Sequence, residues 1–340
     1  MGFLNLATRC LGIDLGTTSV IVAMKDKGVI INEPSIIAIE KKTGKLLATG
    51  YEAKEMLGRT PEKINVVRPV KGGVIADLSA TELMLKNIMN RINKKYGYAR
   101  TKAVIGVPSG ITEVEKRAVE EAMYEAGARE VYLIDEPLAA AIGANVNIGE
   151  PTGSLIVDIG SGTTEVAVIS LGGIVVSNSI RIAGDDLDRN IIDYIRKYEN
   201  LEISENCAEN IKKNIATVKP GFLETMEIKG RDLQTGLPTT ITINSKQILD
   251  AIEVSIGKII AIIKLTLEKT PPELAADITE RGIILTGGLA NLKRMDELIM
   301  DKTGINAYVA NNATHCVALG TEKALENVGK IRQLQSKRRR

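Results

Sequence analysis

Two stretches of this chain are written in the same grammar. Ile13-Asp-Leu-Gly-Thr-Thr-Ser-Val-Ile-Val-Ala-Met24 and Val157-Asp-Ile-Gly-Ser-Gly-Thr-Thr-Glu-Val-Ala-Val-Ile169 share one order. Each runs from a β-branched strand to Asp, through a turn of Gly and hydroxyl residues, into a second β-branched strand. Short glycine-containing turns between such runs predict hairpins. The copies lie too far apart for a solenoid, whose repeats span about 20–50 residues. They predict two homologous α/β halves, and 340 residues suffice for two domains of about 100–200 residues each. No low-complexity linker separates the halves, so they are expected to pack on each other across a cleft.

What fills those halves is restricted. Apolar residues make up 44% of the chain but aromatics only 3%: two Phe, eight Tyr and no Trp. The core must come from Ile, Val, Leu, Ala and Met, and base-stacking platforms are not available. Cys10, Cys207 and Cys316 are scattered and odd in number, so neither a disulfide framework nor a CxxC metal site can form. They read as small apolar residues in a reducing compartment. No apolar run reaches the ~18–20 residues that span a bilayer. The longest candidate, Ser154 to Val176, is broken by Asp158 and Glu165. The N-terminus has no basic flank or cleavage site, and Leu6 stands where myristoylation needs Ser or Thr. A cytoplasmic protein is expected.

The spacing of apolar residues and caps places the other elements. Ser79-x-x-Glu82 reads as a capping box ahead of Leu85, Ile88, Met89 and Ile92 at helical spacing. Thr112-x-x-Glu115 starts a helix that stops at Gly127. Strands are predicted at 102–108 and 131–134, and a small-residue helix at 137–144. In the second half, helices are predicted at 184–197, 204–216 and 245–269, the last ended by Pro271-Pro272. The apolar stretch Ile256–Leu265 within it reads as core. Strands at 226–229 and 239–243 flank a turn-rich segment. Gly282-Ile-Ile-Leu-Thr-Gly-Gly288 is a strand entering a glycine turn, and 315–328 a final helix.

The glycine turns carry the chemistry. Gly16, Thr17, Thr18 and Ser19 can offer backbone N–H and hydroxyl donors to an anion with no Cβ in the way. Asp14 would repel a bare phosphate, but suits a hard cation held directly or through water. Gly160, Ser161, Gly162, Thr163 and Thr164 repeat the device behind Asp158. Facing turns of this kind would clamp a triphosphate and Mg²⁺ from both sides, and Gly287-Gly288 suits a nucleoside. One such hairpin alone is most often plain strand–turn–strand; two with the late Leu-Thr-Gly-Gly are far more specific. Neither GxxxxGK[ST] nor GxGxxG is present, so P-loop and Rossmann sites are not supported.

This constellation resembles the actin-like ATPase superfamily, and within it the MreB family of bacterial actin homologues. The likeness runs from about Cys10 to Val328. It rests on Asn32–Ala38, Met56–Pro61, Arg68–Asp77, Gly127–Ile134, Pro137–Gly143, Asp158–Ser170, Pro271–Ile278 and Arg281–Gly288. The resemblance implies an α/β actin-like fold of two related domains, each with a subdomain, around a nucleotide cleft. Domain I would be 1–145 plus 311–329, with a subdomain at 33–74. Domain II would be 146–310, with a subdomain at 181–244, leaving 330–340 as a disordered basic tail. The resemblance implies phosphate contacts at Thr17, Thr18, Ser19, Ser161, Gly162 and Thr163. It implies adenosine contacts at Glu209, Asn210, Ile211, Lys212, Gly287, Gly288, Leu289 and Ala290. Taken by themselves, Glu209 and Lys212 would read as a surface i,i+3 ion pair.

At the catalytic position the family's Ile-Glu-Glu-Pro is here Ile134-Asp135-Glu136-Pro137. The first acid orients the attacking water. Asp135 is one methylene, about 1.5 Å, shorter than Glu, and a ~1 Å misplacement can cost about a hundredfold in rate. Slow hydrolysis is therefore expected, with Thr163 and Glu136 as further candidates for placing the water. Leu289 stands where a third glycine is usual, and Ala183-Gly184-Asp185 replaces Gly-Gly-Asp. The lone His315 reads as structural.

The resemblance implies Mg-ATP as cofactor, head-to-tail homopolymer filaments and a role in cell shape or motility. It also implies a peripheral position on the inner face of the cell membrane. Three segments are candidates for an anionic membrane surface: the apolar Met1–Leu6, the Tyr96-Gly-Tyr98 loop and the basic tail. The tail's six positive charges exceed the net +2 of the whole chain, so the remainder is net acidic. Each is worth ~1 kcal/mol near an anionic leaflet, and two weak anchors hold better than one. Other cytoskeletal or membrane proteins are further expected partners; nucleic acid is not. A sugar kinase would need its own substrate pocket, and a chaperone a further domain. The remaining alternative is a nucleotide-binding membrane scaffold with little or no ATP turnover.

Overall fold

The computed structural model describes residues 8–221 and 223–325. By their contacts these form two compact units, the described residues of 8–150 with 314–325, and those of 151–313.

In the first unit the repeated motif becomes β1 (Thr8–Leu15) and β2 (Ser19–Met24), an antiparallel pair continued by β3 (Gly28–Pro34). Then come β4 (Ile37–Glu40), β5 (Leu46–Thr49), α1 (Gly50–Met56) and β6 (Ile64–Val67), a side sheet in the order β5-β4-β6. A two-residue ladder, β7 (Val70–Lys71) with β8 (Val74–Ile75), leads to α2 (Leu78–Tyr96). β9 (Arg100–Val107), α3 (Glu113–Glu125), β10 (Glu130–Asp135) and α4 (Glu136–Gly143) complete the main run. The main sheet has the order β10-β9-β1-β2-β3, with β1, β9 and β10 parallel. Leu85, Ile88, Met89 and Ile92 of α2 are buried as their spacing predicts.

The start of α2 differs from expectation. Its N-cap is Asp77, whose carboxylate accepts from Ala80 N–H at 2.9 Å; Ser79 already lies inside the helix. Asp and Ser are comparable caps, so the choice is made by where the chain turns into the helix, which leaves Asp77 extended at the N-cap. At α3 the predicted box is present: Glu115 N–H donates to Thr112 Oγ1, and Thr112 N–H to Glu115 Oε2.

The second unit opens with β11 (Ser154–Ile159), β12 (Thr164–Ser170) and β13 (Gly173–Ile180). α5 (Gly184–Tyr198), β14 (Leu201–Glu202), α6 (Glu205–Ile215), β15 (Thr225–Asp232), β16 (Pro238–Asn244) and α7 (Ser245–Glu268) follow. α8 (Pro272–Arg281), β17 (Ile283–Thr286), α9 (Met295–Thr303) and β18 (Ala307–Val309) end the unit. Its main sheet, β13-β12-β11-β17-β18, repeats the first unit's order strand for strand, again with three parallel strands. The duplication read in the sequence is therefore a duplicated sheet. The second unit's core holds only Ile, Leu, Val, Ala and Met among its fully packed members, including Ile252, Ile256, Ile259 and Ile263 of α7.

The last described helix, Cys316–Ala324, packs in the first unit against α4 and β1. The predicted helical residues from 326 onward lie outside the described residues. Among the described residues no helix is long and apolar enough to cross a membrane.

Candidate functional site

Parallel strands end where connections leave the sheet, and ligands of open α/β sheets bind at those carboxyl ends. The first unit puts its candidate residues there. Asp14 is level with Gly106 of β9, and Gly106 with Ile134 of β10, so Asp14 and Asp135 share one edge of the sheet. The turn from β1 to β2 is tight: a Cβ on Gly16 would lie 2.8 Å from the Ser19 carbonyl oxygen and 3.5 Å from Asp14 Oδ1. Thr17 is buried, and its hydroxyl accepts from Gly73 N–H at 3.0 Å. Thr18 gives its carbonyl to Ser35 N–H. Thr18 and Ser19 stay partly open.

Asp135 is the N-cap position of α4, yet its carboxylate makes no capping hydrogen bond to that helix. It is half-buried at the end of β10, where the helix dipole favours negative charge. Glu136, in contrast, is 8% exposed and packs over Gly106, its Cγ 3.3 Å from where a Cβ there would sit.

The second unit repeats the edge with Asp158 level with Thr286 of β17. Asp158 is buried and Oδ1 accepts from the Thr286 hydroxyl at 2.7 Å. Burial pushes its carboxyl up, and the Thr286 bond opposes that only in part. A carboxylate buried without a cationic side chain suits a hard cation, which keeps most of its own waters and needs few protein ligands. Among the described residues no group of three or more His, Cys, Asp or Glu could hold a metal by itself.

The turn behind Asp158 is closed by Gly160 N–H to the Thr163 carbonyl at 2.9 Å. Ser161 and Thr163 remain partly open, while Gly162 is buried. Thr164 is turned away: fully buried, it donates to the Ile182 carbonyl at 2.7 Å. On α6 the four candidates separate. Ile211 has its side chain wholly in the core, and Asn210 is exposed and bonded to Asn214. Glu209 pairs with Lys213 at i+4, not with Lys212. Lys212 instead reaches Asp188 of α5.

Gly287, at φ +85°, brings its backbone against Ile159; a Cβ there would sit 2.3 Å from the Ile159 carbonyl oxygen. Gly288 is exposed, whereas Leu289 and Ala290 point into the core. Sequence reasoning missed Thr286 and Asp188. Both act through contacts far along the chain; Thr286 stands in the late Leu-Thr-Gly-Gly motif, but its partner does not.

Outside these turns, Tyr98 is 80% exposed and Lys27 lies 4.6 Å from the centre of the Tyr96 ring. Buried Arg9 ties this loop down by donating to Asn93 and to the Tyr96 and Gly97 carbonyls. Since Thr8 pairs with Arg100, the described chain starts at the same end of the sheet as this loop. Met1–Leu6 and the tail 330–340 lie outside the described residues. His315 meets Asn32, its Nε2 at 3.0 Å from the amide nitrogen.

A sequence profile of the family described as MreB/Mbl protein matches residues 8–333. The chain is 47% identical over 324 residues to the cell shape-determining protein Mbl of Bacillus subtilis (strain 168), covering 95% of this chain and 97% of the relative. Among solved structures it is similar to MreB5 of Spiroplasma citri bound to ADP. The TM-score is 0.90 at 38% identity, over 95% of this chain and 98% of that one. The MamK double helical filament shares the fold alone, with TM-score 0.81 at 22% identity over 94% and 99%. The fold is actin-like, as the duplicated motif and its resemblance imply.

Proposed function

The chain belongs to the MreB/Mbl family, and from that premise we propose that it binds adenine nucleotide with Mg²⁺, hydrolyses ATP and polymerises into membrane-associated filaments that determine cell shape. The observation that carries this is the duplicated turn: in each unit a glycine–hydroxyl turn stands behind an acid at a parallel sheet edge, in a chain similar to an ADP-bound MreB5.

In this reading Gly16, Thr18, Ser19, Ser161 and Gly162 give N–H and hydroxyl donors to phosphate oxygens. Thr17 helps from a buried position, its hydroxyl hydrogen still free to turn. Asp14 and Asp158 are the acids that would hold the metal, and it would neutralise phosphate charge. Gly287 and Gly288 offer a close backbone approach to the nucleoside, and Lys212 a donor to its ribose. Ile211, Leu289 and Ala290 shape the site only through the core they fill, and Thr164 only through its hold on Ile182.

Asp135 accepts from the attacking water and aligns it; phosphoryl transfer is chiefly positioning and electrostatics. Asp135 is half-buried at the end of β10, whereas Glu136 is buried and packed against β9, so Asp135 is the better candidate. Thr163, partly open, assists in placing the water. The shorter reach of Asp135 makes turnover slow. The membrane contact uses the Tyr96–Tyr98 loop with Lys27 beside it and the chain's two ends, on the cytoplasmic face of the cell membrane.

Phosphate release under polymerising conditions tests the enzyme. Asp135→Ala should lower the rate at least tenfold while ADP still binds. Equal, near-background release by both proteins would leave a nucleotide-binding scaffold instead.

A further inference from the structure

Helix α6 carries a cation whose partners all lie on another helix. Lys212 Nζ donates to Asp188 Oδ2 at 2.7 Å and to the Gly184 carbonyl at 2.8 Å, both on α5. The two side chains are only 11% and 15% exposed. Gly184 is itself locked to the β11–β12 turn: its N–H donates to the Gly160 carbonyl at 3.2 Å, and Asp185 N–H to the Ser161 carbonyl at 2.8 Å. A Cβ on Gly184 would sit 3.3 Å from both Lys212 Nζ and Ser161 Cα. One cation therefore joins α6, the start of α5 and the candidate phosphate turn.

The arrangement is poor as a stabilising device. Asp188 Oδ1 is buried and accepts no hydrogen bond. Burial pushes the Asp188 carboxyl up in spite of Lys212 beside it. An apolar pair of similar volume commonly holds two helices as well or better than a buried ion pair. What an apolar pair cannot do is keep an ammonium at one fixed place with a donor to spare. Lysine has three N–H donors; two are used here, and the third is left for a ligand hydroxyl.

We propose that Asp188 is a positioning residue for nucleotide binding: it pins the Lys212 ammonium against Gly184, so that the remaining N–H meets a ribose hydroxyl beside the phosphate turn. This rests on the nucleotide reading above and adds to it a residue that sets the preference for ribose over deoxyribose. Asp188 touches no ligand and acts only through Lys212.

Calorimetric titration of the full chain with ADP, 2′-deoxy-ADP and 3′-deoxy-ADP tests this. Wild type should prefer ADP over at least one deoxy analogue by about tenfold, roughly 1.4 kcal/mol. Asp188→Asn and Lys212→Met should each reduce that preference below twofold. The double variant should be no worse than Lys212→Met alone, since residues acting through one contact are not additive. If Asp188→Asn weakens ADP and its analogues alike, or the two effects add, Asp188 is merely structural and the proposal falls. Should the single variants fail to fold, the double variant leaves no unpaired buried charge; a preference retained there also overturns it. Wild type that binds all three equally defeats this inference alone. Wild type that binds none defeats the nucleotide reading itself.

Discussion

Asp158 shows how one residue is placed against its own stability. Burial raises its folded-state carboxyl above the unfolded value of about 3.9. The folded chain therefore holds this proton to higher pH than the unfolded chain does, and stability falls as pH rises through that window. Asp158→Asn should raise the melting temperature of the nucleotide-free protein at pH 7. The gain should vanish below about pH 4, where both states are protonated, and calorimetry across that range checks it. The same variant should weaken binding of Mg-ADP, so a stabilised variant that binds Mg-ADP as well as wild type would refute the metal role. Asp135 gives the converse case: Asp135→Glu restores the missing methylene and should speed phosphate release, by up to about a hundredfold. Both acids were legible because each stands in a motif. Thr286 stands in a motif too, but its role was not legible, because its bond to Asp158 spans 128 positions and is made only when β17 pairs with β11.

Helix starts separate what local sequence decides from what it leaves open. Thr112 and Glu115 cap each other within four residues, so the pattern alone located α3. Asp77 and Ser79 both offer an acceptor near the start of α2, and the chain's entry from β8 gives the cap to Asp77. Thr112→Ala and Asp77→Ala should each cost about 1 kcal/mol, read as a lower denaturant midpoint, while Ser79→Ala should cost close to nothing. At the other extreme is the last helix against α4. A Cβ on Gly320 would meet the Ala139 carbonyl oxygen at 1.7 Å. Gly320→Ala should therefore cost on the order of 1–3 kcal/mol or more, because backbone cannot yield as a side chain can. The small residues of both helices were visible in sequence; that they face each other was not. The short strands β4 to β8 escaped prediction for a related reason, being held by pairing across the side sheet and hairpin rather than by strong runs of their own.

Over the whole molecule, charge is sorted along the chain: a net acidic body and a basic end. The intact protein should sediment with vesicles of anionic lipid, less so at high salt, where screening shortens to a few Å. Removing residues 330–340 should reduce sedimentation, and unchanged sedimentation would sink the role of the tail. The sequence by itself determined the duplication, the aliphatic core and the two acids behind glycine turns. Each of these is written within some ten residues, where side-chain type and backbone freedom act directly. Only the tertiary structure decided which nearby residues stay available. It sent Ile211, Leu289, Ala290 and Thr164 inward, packed Glu136 on β9, and gave Lys212 to Asp188 while Glu209 went to Lys213. Those choices belong to strand pairing and helix packing between distant segments, where burial and partner geometry outweigh anything the local pattern prefers.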